Sequence, residues 1–130
     1  MSVSFALLVT GPVYGSEQSY AAYQFAQAVI KKGHALSGVF FYQDGVTNAN
    51  SLSSPANDEC DLHSLWCNFS NEHGVSLHTC IAAAQRRGIL DEVTAKEAEK
   101  TAFNVPPPFL LSGLGQLAEM LLTADRVDRF

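Results

Sequence analysis

Short apolar runs alternate along the chain with apolar positions at helical spacing, separated by turns rich in Gly, Pro and Asn. Residues 4–10 (SFALLVT) form a strand-length run that stops at Gly11-Pro12 and predicts the first strand. Ala22, Phe25, Ala26, Val29 and Ile30 then fall at i, i+3, i+4, i+7 and i+8, one face of a helix. Ser16 is its expected N-cap and Lys31-Lys32-Gly33 its stop. Residues 35–42 (ALSGVFFY) suit a second strand. Residues 43–56 read as a loop longer than most connections in a compact domain, a feature that often marks function.

Leu62, Leu65, Trp66 and Phe69 mark the next helix, with Asp58, Glu59 and Asp61 expected in its first turn and His73-Gly74 at its end. A third strand over 75–81 runs into a short Ala-rich helical turn that closes at Gly88. Thr94-Ala95-Lys96-Glu97 has capping-box spacing and predicts a brief helix there. Three prolines force an extended approach to a strand at 109–111. Leu114, Leu117, Ala118, Leu121 and Leu122 give a last amphipathic helix, and 126–130 an edge strand. Strands alternating with helices predict a single α/β domain over 1–130, with a mostly parallel sheet of about five strands.

Composition narrows the function. With 47% apolar and 16% charged residues, the 130-residue chain can bury a sizeable core. A formal net charge of -5 argues against a protein that grips nucleic acid through its phosphates. No apolar run approaches the ~20 residues of a membrane span, and the N-terminus lacks the basic start of a signal peptide. A cytoplasmic address is expected. Three cysteines (Cys60, Cys67, Cys80) are an odd number, which predicts free thiols over a disulfide framework.

Candidate chemistry centres on Cys80, at the end of the third strand and the start of a helical turn. Ligands of open α/β sheets gather at the carboxyl ends of strands, and a helix start favours the thiolate, the nucleophilic form. A small buried hydrophobe is the competing reading, since free Cys is among the most buried residue types. Arg86 and Arg87 are candidate supports for a thiolate. His78 shares a strand face with Cys80, though two residues along a strand is too far for a catalytic Cys–His bond. Tyr42, Asp44, Asn48 and Asn50, in and before the long loop, are expected near the thiol or a subunit contact.

Cys60 and Cys67, expected at i and i+7 on one helix with His63 between, match no usual zinc spacing, so no metal is expected. His34 and His73 stand beside helix-end glycines and are expected to be solvated. Residues 10–16 (TGPVYGS) occupy the place of a phosphate loop but fit neither G-x-G-x-x-G nor a P-loop ending. A structural turn is the first reading there, and a nucleotide- or flavin-binding module the alternative.

Five segments together resemble the DsrE/TusD sulfur-relay family: TGPVYG, VFFYQDGVTNAN, SPANDE, HGVSLHTCIAAAQRRGILDE and SGLGQLAEMLLTADRV. The resemblance covers nearly the whole chain. It implies a flavodoxin-like fold with helices on both faces of the sheet, and a sulfurtransferase needing no cofactor. It also implies that Cys80 accepts a persulfide sulfur from a TusA-like carrier and passes it to a TusE-like protein, for 2-thiouridine formation at the tRNA wobble position. TusB- and TusC-like subunits, in a dimer of heterotrimers, are the implied partners. DsrE-like sulfur trafficking in dissimilatory sulfur oxidation is the alternative within the family. The final segment, DRVDRF, is more charged than the family pattern leads one to expect.

Overall fold

The computed structural model describes residues 2–130; Met1, inside the expected 1–130 domain, lies outside them. Five strands, β1 (Ser4–Val9), β2 (Ala35–Phe41), β3 (Leu77–Cys80), β4 (Phe109–Ser112) and β5 (Arg126–Arg129), form one sheet in the order β4-β3-β2-β1-β5. Every pairing is parallel. The chain therefore walks from β1 to β4 in one direction, then crosses back to add β5 beyond β1. In flavodoxin itself the reversal falls between the first and third strands.

Between the strands lie α1 (Gln18–Lys31), α2 (Leu62–His73), α3 (Ile81–Arg86), α4 (Glu92–Glu97) and α5 (Leu114–Thr123). Helices α1 and α2 share one face. Trp66 of α2 is fully buried there, edge-on to Tyr23 of α1 and Phe41 of β2, each with ring centroids 5.3 Å away. Such aromatic pairs add about 0.5–1.5 kcal/mol each beyond the area they bury. Helix α5 covers the other face, where Met120 lies over Gly38 of β2 and a Cβ at Gly38 would sit 3.2 Å from its Cε.

Several boundaries differ from expectation, each for a local reason. Ser16 does not cap α1: Gly15 holds φ +95° and keeps the chain turning, so Glu17 takes the cap position without a side-chain bond. Asp58, Glu59 and Cys60 precede α2, whose cap is Asp61 accepting from the Ser64 N–H. Helix α4 starts a turn earlier than Thr94, because the reciprocal capping box joins Asp91 to Thr94. Half of the expected loop is ordered as a 3₁₀ helix, Gln43–Ala49. It packs so tightly on β1 that a Cβ at Gly45 would collide with the Val9 carbonyl oxygen. His34 is half-buried, its Nδ1 accepting from the Val3 N–H at 3.0 Å.

Candidate functional site

Cys80 ends β3 and serves as the N-cap residue of α3, as its place in the sequence predicts. Its residue is only 3% exposed. Register fixes which side chains surround it. Phe40, His78 and Leu110 are aligned across β2, β3 and β4, and Cys80 is aligned with Ser112. Side chains alternate along a strand, so His78, Cys80, Leu110 and Ser112 share the face on which α5 lies. His78 Nδ1 is 2.8 Å from Ser112 Oγ. Burial lowers the His78 pKa below the ordinary 6.5, with Glu119 of α5 pulling the other way.

The other two thiols lie at α2, Cys60 exposed just before the helix and Cys67 half-buried within it. Burial, followed by the nearby Asp61 carboxylate, raises the pKa of both Cys60 and Cys67 and keeps them protonated. His63 donates from Nδ1 to the Asn48 carbonyl at 2.7 Å, which turns the lone pair of Nε2 towards Cys67 Sγ at 3.7 Å. Among the described residues, no group of three or more His, Cys, Asp or Glu is placed to share a metal ion.

Both arginines stand at the far end of α3 from the thiol, about 9 Å along a six-residue helix at 1.5 Å per residue. Arg87 donates to Asp44 Oδ1 from Nη2 at 3.1 Å and from Nε at 3.3 Å, and to the Ala83 carbonyl from Nη1 at 3.0 Å. It thus ties the 3₁₀ helix to α3. Arg86 is exposed. Tyr42 is half-buried where the chain leaves β2, its carbonyl accepting the Gly45 N–H.

Asn48 and Asn50 serve the framework. Asn48 is buried and donates to Ser19 Oγ at 3.1 Å and the Gly45 carbonyl at 2.9 Å. Asn50 Oδ1 accepts from Leu52 N–H and from Asn104 Nδ2. Asn104, which the sequence did not single out, also accepts from Leu90 N–H and donates to the Gly88 carbonyl, so it joins the loop to the segment after α3. Ser112 was missed too. Nothing local marks it; only the register with Cys80 does.

Two residues of the phosphate-loop alternative spend their donors within the fold. Thr10 donates its N–H and its hydroxyl to the Phe130 carbonyl, and Val13 N–H goes to Thr47 Oγ1 at 2.8 Å. A cleft of about 320 Å³ does lie beside this turn, between Tyr14, Pro55, Cys60 and His63, but Cys80 is not in its wall.

A single α/β domain with an all-parallel five-stranded sheet and a cysteine closing its third strand defines a fold class, and comparison places the chain within it. Residues 3–128 match the DsrE/DsrF-like family, and the chain belongs to that family. It is 55% identical over 126 residues to a protein named sulfurtransferase TusD from Klebsiella pneumoniae subsp. pneumoniae, covering 97% of this chain and 98% of that one. A protein of the same name from Serratia proteamaculans is 52% identical over 128 residues, covering 98% and 99%. The crystal structure of the ychN protein from E. coli superposes with a TM-score of 0.79 at 20% identity over the whole of both chains, a likeness of fold.

Proposed function

We propose that this sulfurtransferase holds a sulfur atom in transit on Cys80, taking it from a TusA-like persulfide carrier and yielding it to a TusE-like acceptor on the path to 2-thiouridine in tRNA. One observation carries the reading. Cys80 occupies the strand end where this fold gathers its chemistry, in a chain that matches proteins named sulfurtransferase TusD over nearly their full length. A thiolate there attacks the outer sulfur of the donor persulfide and forms Cys80–S–SH; the next thiol removes that sulfur by the same exchange. Burial suits the task, because a persulfide kept from solvent is protected from stray thiols until a partner docks.

Partner surfaces support an assembly. On the α5 side Leu110, Leu114, Leu121, Leu122 and Val127 are all exposed, and Leu122 is 86% exposed. Apolar positions gathered this way on one side of a small domain mark a protein contact. TusB- and TusC-like subunits are the partners the reading assigns to it. The acidic surface suits a relay in which tRNA meets only a downstream enzyme.

The test is reconstitution. Full chain, TusB- and TusC-like subunits, a TusA-like donor carrying labelled sulfur and a TusE-like acceptor are combined. Label is expected on Cys80 first and on the acceptor afterwards, and Cys80→Ser is expected to stop both. Label that reaches the acceptor in the Cys80→Ser assembly contradicts the relay. Label that loads Cys80 but is refused by the acceptor favours the sulfur-oxidation role over tRNA thiolation.

A further inference from the structure

The thiol has a neighbour that the relay reading does not yet use. Cys80 and Ser112 are aligned partners at the carboxyl ends of two adjacent parallel strands, and their side chains share a face. Ser112 Oγ is already within hydrogen-bond range of His78 Nδ1, at 2.8 Å. His78 itself stands two residues before Cys80, about 6.6 Å along the strand, too far to reach the sulfur directly. Ser112 stands on the row of Cys80, its hydroxyl reaches back to the imidazole on the row before, and it is the one polar side chain of β4 on this face.

We propose that Ser112 is a positioning residue that couples the Cys80 thiol to the His78 imidazole. In the resting arrangement Ser112 donates to His78 Nδ1, which leaves the Ser112 lone pairs free to accept from the thiol once the Cys80 side chain turns about its first torsion. The proton of Cys80 then moves to Ser112 Oγ while the hydroxyl's own proton moves to His78 Nδ1. A thiolate and an imidazolium remain, bridged by one hydroxyl. The thiolate's electron pair forms a bond to the outer sulfur of the donor persulfide. The bond between the donor's two sulfurs breaks, and its electron pair departs on the donor's thiolate. That thiolate takes the proton held on His78. The outer sulfur keeps its own hydrogen, so Cys80–SH and R–S–SH become Cys80–S–SH and R–SH, with no net oxidation.

Charges around the imidazole are few. From β2 it faces Phe40, from β4 Leu110 and Ser112, all uncharged, and from α5 it faces the Glu119 carboxylate. Burial keeps His78 neutral and able to accept a proton, while Glu119 steadies the imidazolium after transfer.

The coupling rests on Cys80 being the sulfur carrier but is tested apart from sulfur. In full chain carrying Cys60→Ser and Cys67→Ser, the ultraviolet absorbance of the Cys80 thiolate is followed against pH. Circular dichroism verifies that each variant is folded. Ser112→Ala is expected to raise the midpoint by about one pH unit, a tenfold smaller thiolate fraction below both midpoints. Ser112→Thr, which keeps the hydroxyl, is expected to restore it. His78→Gln is expected to shift the midpoint by the same amount as Ser112→Ala, and the double variant by no more. Coincident midpoints for wild type and Ser112→Ala overturn the coupling, as do equal shifts for Ala and Thr or additive shifts in the double variant. If sulfur loads on Cys80 but the midpoints coincide, the coupling falls and the relay stands. If the midpoints shift but no sulfur loads, the relay falls and the coupling stands.

Discussion

At the scale of single residues, place in the fold separates the three thiols. Cys60 and Cys67 are held protonated by desolvation and by Asp61, whereas Cys80 closes a strand beside Ser112 and His78. The position of Cys80 was legible in the sequence because a strand run and a helical run meet there. The place of Ser112 beside it was not, since that depends on a register between strands separated by two helices. Gly45 gives a residue-scale prediction. Any side chain there strikes the Val9 carbonyl, backbone that cannot move aside without shifting β1. Gly45→Ala is expected to cost about 2 kcal/mol, in the usual range for overpacking, read as a lower urea midpoint at unchanged slope. An unchanged midpoint would show that the 3₁₀ helix is not seated as described.

At the scale of elements, apolar periodicity located all five strands and the major helices, but end chemistry moved the boundaries. Asp91, not Thr94, caps α4, because the reciprocal bond needs an acceptor three residues before Thr94. Asp91→Ala is expected to cost about 1 kcal/mol, and Thr94→Ala a comparable amount, with the double variant less than additive. The 3₁₀ helix was illegible, since Gln43–Ala49 has turn composition and gains its order from Val9 and Ser19 elsewhere in the fold. Its link to α3 through Asp44 and Arg87 is largely solvent-exposed, so Asp44→Ala is expected to lower stability by less than about 1 kcal/mol.

His78 adds a pH dependence to the same layer. Its folded pKa lies below 6.5, so the unfolded chain binds more protons as acid is added. The contribution is fully present above pH 6.5 and is lost as pH falls through the folded value. Urea midpoints of His78→Gln are expected to fall less steeply than those of wild type between neutral pH and pH 5 or so. Parallel curves would contradict the burial of the imidazole.

At the scale of the whole molecule, the two faces of the sheet are unequal. The α1–α2 face is sealed by Trp66, Tyr23 and Phe69, whereas the α5 face contributes only Met120 to the buried core from its helix and leaves leucines outside. Helical spacing predicted a stripe of Leu114, Leu117, Ala118, Leu121 and Leu122 on α5, but the structure buries Met120, half-buries Leu117 and leaves the other four exposed, because the face a helix buries depends on the sheet available beneath it. Leu122→Glu is expected to change stability by no more than about 0.5 kcal/mol. The same substitution is expected to abolish co-purification with TusB- and TusC-like subunits. Retained assembly at normal yield would move the contact elsewhere.

The central claim is that sulfur is held on Cys80, and intact mass reads it most directly. Full chain is incubated with a small persulfide donor, freed of excess reagent and weighed before and after reduction. Wild type, Cys60→Ser and Cys67→Ser are each predicted to gain one reducible sulfur, and Cys80→Ser none. Equal uptake by Cys80→Ser, or no uptake by wild type, would contradict the account.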